Sequence, residues 1–226
     1  MQKIFQNQTV IFYILLGVSL VISRLPLIGR YFRGINTLIH ESGHAFIALI
    51  LSGNVHRIDL SSDTSGSVIT STDNGFKRFL VSFSGYPFSS IVALLFFYFI
   101  NQNAYQYVLY PLVVLVLLNL ILYVRNLYGV FWLLTFLILS FSVIYLNKQL
   151  LWYGFSLLCT FIILTDSVIS TIHLLIISFK NPKTAGDAKN IADITHLPAI
   201  FWAFIFLFIS GFLAYKTIYL YFPKII

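Results

Sequence analysis

His40, Glu41 and His44, within "NTLIHESGHAFIAL" at residues 36–49, are the residues of this sequence whose types and spacing could do chemistry. A helix puts side chains four residues apart on one face, one turn from each other. Two imidazoles held that way can reach one Zn2+ at about 2.0–2.1 Å. Glu41 is rotated by about 100° from His40, so it stands beside such an ion and takes a proton from the activated water. This is the H-E-x-x-H arrangement of two ligands and a general base. Zinc brings the pKa of its water to about 7, so hydroxide is available at neutral pH. Glu41 is the only glutamate among the 226 residues. Ionisable side chains are expensive in a bilayer and are there for function, and one metal ion satisfies all three at once.

A catalytic zinc takes a third protein ligand and keeps one position open. Asp166, in "FIILTDSVISTIHLL", is the expected third ligand. At 1.5 Å per residue, His40 and His44 lie about 10–16 Å from Arg33, and Asp166 lies about 21 Å from Lys180. Both are then deep in hydrocarbon. His173, on the same face as Asp166, and Asp187, in "TAGDAKNIAD", stand as alternatives or as groups that orient a ligand. Asp59, Asp63 and Asp73 read as solvated loop residues. Gly43, inside the motif, permits close approach of another helix or of substrate. Gly85 and Pro87, in "SGYPFSS", loosen a neighbouring helix and would position substrate.

The elements that must carry these residues are membrane helices. The chain is 59% hydrophobic and 9% charged, against about 25% charged in an ordinary soluble domain. Lipid admits only helices or a closed barrel. A barrel alternates polar and apolar residues, and runs such as "YPLVVLVLLNLILYV" do not. The fold class is therefore an all-α integral membrane protein, one multi-pass domain over residues 1–226. Six to seven spans are expected, at 8–23, 34–52, 78–100, 106–124, 127–147, 150–178 and 197–221. The first has a signal-like shape but no small-x-small cleavage site after it, and reads as an uncleaved span. The second carries HExxH and the sixth carries the third ligand. The loop at 53–77 holds "VHRIDL" and "GSVITS", two β-branched runs that read as a small hairpin. Residues 179–196 hold a turn and a short interfacial helix. One cysteine excludes an intrachain disulfide and a cysteine-rich metal site. The net charge of +7 is scattered over loops and helix ends, which excludes a nucleic-acid surface and fits lipid headgroups.

With HExxH in an early membrane helix, a hairpin-like loop after it and "SGYPFSS" in the next helix, the sequence resembles the site-2 protease family of intramembrane zinc metalloproteases. It is most similar to the compact branch found in bacteria and fungi. "HESGHAFIALILSGNVHRIDL", "VRNLYGV" and "GDAKNIADITHLPAIFW" carry the resemblance over most of residues 34–205. It implies His40 and His44 as ligands of one Zn2+ per chain, Glu41 as base, and an Asp on a later helix as third ligand. The N-x-x-P-x-x-x-L-D-G motif of better-known members is missing, and the "GDA" segment keeps Asp187 open. The resemblance also implies membrane protein substrates, the bilayer as surroundings, and a bacterial plasma membrane as location. The expected activity is intramembrane endoproteolysis. The alternative from another class is a non-proteolytic metal-binding membrane protein, a transporter or scaffold. A zinc hydrolase of lipid or prenylated peptide is a further one.

Overall fold

The computed structural model describes residues 8–223. All seven expected apolar segments are helices: α1 (Gln8–Arg24), α2 (Ile28–Ile50), α3 (Gly75–Asn101), α4 (Gln106–Leu122), α5 (Leu127–Leu146), α6 (Gln149–Lys180) and α8 (Ala199–Tyr221). A short amphipathic α7 (Gly186–Thr195) lies between α6 and α8. Among the described residues, α3, α5, α6 and α8 are each long and apolar enough to cross a membrane. α1 and α2 pass that test only together, bent by 98° at a short break. By length and composition, four helices, or five with the bent pair counted as one, are candidate spans, and α4 is a shorter apolar helix, roughly consistent with the helical membrane fold expected. Pro26 explains the break: it biases Leu25 away from helical backbone and interrupts the hydrogen-bond ladder.

The hairpin expected after α2 is present as antiparallel β1 (Asn54–Leu60) and β2 (Gly66–Ser71), with Ile58 opposite Val68 and a bulge between Val55 and Arg57. β1 does not end in solvent. Its outer edge meets the α4–α5 turn, where Ile58 N–H donates to the Tyr123 carbonyl at 3.1 Å and Ile58 bridges Val124. The Asn126 amide closes the end of β1, accepting from Leu60 N–H at 3.2 Å and donating to the Leu60 carbonyl at 2.6 Å. At the hairpin turn, Thr37 of α2 donates to the Thr64 carbonyl at 2.8 Å. The hairpin is therefore laid along α2 rather than projecting from it.

α3 lies against α2, α6 and α8, and its N-terminus is capped by Asn74, whose side chain accepts from Lys77 N–H. At the end of the bundle formed by the start of α1 and the ends of α3 and α8, Phe12, Phe97, Phe161 and Phe222 form a cluster of edge-to-face and tilted rings, with Phe12 and Phe161 centroids 5.1 Å apart. At the opposite end a second, smaller core seats α7. Ala188 and Ile191 are fully buried there beside Leu174, Ala203 and Phe206. Burying a side chain like Ile191 contributes about 1.5–3 kcal/mol. His196, at φ 60°, ends α7 in left-handed backbone, and Trp202 Nε1–H ties α8 back to Thr195 at 3.0 Å. This seat fixes where Asp187, in the first turn of α7, points.

Candidate metal centre

α2 runs helically through the motif, so His40 and His44 share one face. Their ring centroids are 4.7 Å apart and their Nε2 atoms 3.1 Å apart. The Asp187 carboxylate meets both: Oδ2 is 3.2 Å from each Nε2. Val81 fixes the tautomer of His44. Its carbonyl lies 2.6 Å from His44 Nδ1, and a carbonyl only accepts, so Nδ1 carries the hydrogen and Nε2 presents its lone pair to the centre. His40 rests edge-on against Tyr86, with centroids 4.4 Å apart.

The donor set fits a zinc ion. Two imidazole nitrogens and one carboxylate oxygen converge from two elements, all within 4.8 Å of one another. For ligands at about 2.0–2.1 Å in a tetrahedron, neighbouring donor atoms are about 3.3–3.4 Å apart. The separations here, 3.1 to 3.2 Å, are close to that. Electron-rich atoms crowded at this distance in a buried site call for a cation or a shared proton between them.

α3 makes room for this cluster. A Cβ on Gly85 would lie 2.5 Å from His40 Cε1 and from His44 Nε2, so only a residue without a side chain fits behind the two rings. Glu41 is 6% exposed and touches the hairpin, where a Cβ on Gly66 would fall 2.7 Å from its Oε1. Gly43 faces the other way and lets α3 approach at Phe88, which assigns its close contact to a helix. Ser42 accepts from the Asn119 amide at 3.1 Å, tying α4 to the motif. A cavity of about 650 Å³ opens onto the cluster, walled by α2, β2, α3, α6 and α7.

The model of the Peptidase M50B-like family matches residues 11–217. The chain belongs to that family. Comparison with curated proteins gives no match, and comparison with solved structures gives none. Membership in the Peptidase M50B-like family implies a protease of the intramembrane metalloprotease kind, and the apolar helices make the chain an integral membrane protein.

Within this M50B-like chain the structure brings His40, Glu41 and His44 together as the sequence predicts, but the expected third ligand is not with them. Asp166 lines the same cavity and is turned to α2, where it accepts from Arg33 Nε at 2.7 Å and from the Asn36 amide at 3.4 Å. Its carboxylate neutralises a guanidinium instead of joining the imidazoles. His173 also lines the cavity and is not one of the converging groups. Asp187, the alternative, is the acidic group that converges with the two imidazoles, because α7 folds in over the end of α6. Gly85 lies directly behind the imidazoles, and neither it nor Pro87, inside α3, is among the residues lining the cavity. Val81, Tyr86 and Gly66 were not singled out by sequence, since each acts through backbone or through an empty volume that residue type does not announce.

Proposed function

We propose that this chain is a zinc endopeptidase that hydrolyses peptide bonds of membrane-embedded protein segments, with His40, His44 and Asp187 holding one ion and Glu41 as general base. One observation carries the reading: the Asp187 carboxylate approaches both Nε2 atoms to 3.2 Å, those of His40 and His44, which lie one and three residues from Glu41 along α2. When bound, zinc would lower the pKa of a water and polarise the carbonyl of the bond to be cut. Glu41 takes the proton of the attacking water and delivers it to the leaving amine. Its burial beneath the hairpin keeps the carboxylate from bulk solvent, so its interactions are strong and its rotamer restricted. Val81 and Tyr86 hold the two imidazoles while the charge at the centre changes.

A substrate helix hides its carbonyls, so the segment must unwind to be cut. β2 supports an extended pose for it. The outer edge of β1 is taken by residues 123–126, whereas Ser67, Val68 and Thr70 of β2 line the cavity. A segment laid beside β2 could pair its backbone there.

Glu41→Gln tests the reading. In a proteoliposome assay with a fluorescently labelled membrane segment, the variant is expected to keep about one zinc per chain and to lose cleavage by 100-fold or more, within the range of a lost general base. Full cleavage by this variant refutes the assignment. So does a zinc-free wild-type protein that still cleaves.

A further inference from the structure

We infer that Arg33 and Asn36, aimed by Asp166, form a subsite that takes an acidic side chain of the substrate segment, roughly two to four residues from the bond that is cut. The inference rests on the reading of this cavity as a protease cleft, and it names the class of segment the cleft prefers.

Arg33, Asn36, Thr37, His40, Glu41 and His44 make one polar stripe along α2, and all six line the cavity. The part of the stripe away from the metal centre has unspent hydrogen-bonding capacity of two kinds. A guanidinium carries five N–H donors. Arg33 spends its Nε–H on Asp166 Oδ1, and among the described residues nothing accepts from its Nη atoms, although the side chain is 25% exposed. Asn36 is 5% exposed and its Oδ1 has no partner. A buried acceptor left unmet is costly, and a second ligand here would supply what it lacks.

The complement to these two groups is a carboxylate and an N–H. The outer edge of a guanidinium matches a carboxylate in two parallel hydrogen bonds. The unwound segment has free backbone N–H groups, and one beside the acidic residue can donate to Asn36 Oδ1. A carboxylate in hydrocarbon is expensive, so a segment that carries one gains by delivering it to this pocket. Asp166 is a positioning residue: by taking Nε alone it turns the Nη edge to the cavity. The rise of the helix puts Asn36 and Arg33 about 7.5 and 12 Å before Glu41. At about 3.3 Å per extended residue, this sets the spacing of two to four residues.

The test uses two synthetic Leu/Ala membrane peptides of about 20 residues, identical except for a central Glu or Gln, in detergent micelles. Binding to the Glu41→Gln protein is read by fluorescence anisotropy, and products of the wild-type protein are read by mass spectrometry. The Glu peptide is expected to bind about tenfold tighter, as a charge-assisted hydrogen bond allows, with cuts grouped roughly two to four residues from the Glu. In an Arg33→Gln background the ratio between peptides falls to about one, and Arg33→Lys keeps part of it because the charge remains. Metal content of each variant reports that the fold and centre persist. Equal binding of both peptides by the Glu41→Gln protein overturns the subsite, as does an Arg33→Gln loss that is the same for both. Cleavage of both peptides with no preference leaves the protease reading standing and removes the subsite. A binding preference without any cleavage by wild type removes the protease reading and with it the spacing from a cut bond, and leaves Arg33 and Asn36 as a carboxylate-binding pocket only.

Discussion

Replacing Gly85 by alanine adds a single methyl group, and the structure fixes where it goes. The new Cβ would sit 2.5 Å from His40 Cε1 and His44 Nε2, and 2.7 Å from His40 Nε2. Ordinary contact begins near 3.4 Å, so the rings must retreat by about 0.9 Å. Metal sites tolerate distance errors of about 0.2 Å, several-fold less than this. His44 cannot simply swing away, because Val81 holds its Nδ1. Losing a group that merely orients a ligand costs about 10–100-fold in metal affinity. Pushing two ligands at once should cost more than 100-fold. The helix itself should gain, since alanine is better than glycine in a helix interior by about 1 kcal/mol. A drop in zinc with unchanged helicity is therefore the specific signature. Zinc per chain by elemental analysis, a chelator competition for affinity, and far-ultraviolet circular dichroism read the three quantities. Wild-type zinc affinity in Gly85→Ala would show that the imidazoles do not stand where α3 confines them.

Asp187→Ala is expected to remove zinc, and Asp166→Ala to retain it, by the same elemental analysis; the opposite pattern reinstates Asp166 as ligand. Gly66→Ala, whose Cβ would strike Thr37 Cγ2 at 2.6 Å and Glu41 Oε1 at 2.7 Å, is expected to keep zinc and lower kcat at least tenfold, as expected for a misplaced base. An unchanged kcat would separate the hairpin from the base. Asn126→Ala removes two hydrogen bonds to Leu60, about 1 kcal/mol each. Hydrogen exchange over residues 54–71 should quicken by roughly tenfold or more, and no change would mean that Asn126 does not hold the hairpin.

The motif and the hairpin were legible because their signals are local: a four-residue spacing for the imidazoles, β-branched runs between turn residues for β1 and β2. The third converging group was not. The depth argument that favoured Asp166 took Arg33 as lying at the membrane boundary. The 98° bend before α2 removes that origin, and Arg33 instead pairs with Asp166 in the middle of α6. Asp187 reaches the centre because Ala185, Ala188 and Ile191, at three-residue spacing, give α7 an apolar face that sinks into the bundle. That spacing was readable, although nothing in it says which way the first turn points. Gly85 was noticed for its type, but its role required the distance to the rings. All seven apolar segments were legible as helices, whereas the 98° bend that joins α1 and α2 as a pair was not, because hydropathy carries no angle.

His44 and Asp187 stand 143 residues apart in the chain. On a ribosome, α2 emerges with its imidazoles and its carboxylate long before α7 exists. A nascent chain therefore carries Glu41 and two of the three converging groups but not the clasp that completes them. The three groups can meet only after α6 has been made and α7 has found its seat against α3 and α8, so the activity proposed for the centre would arrive late in synthesis, when the rest of the bundle is already in place to confine it.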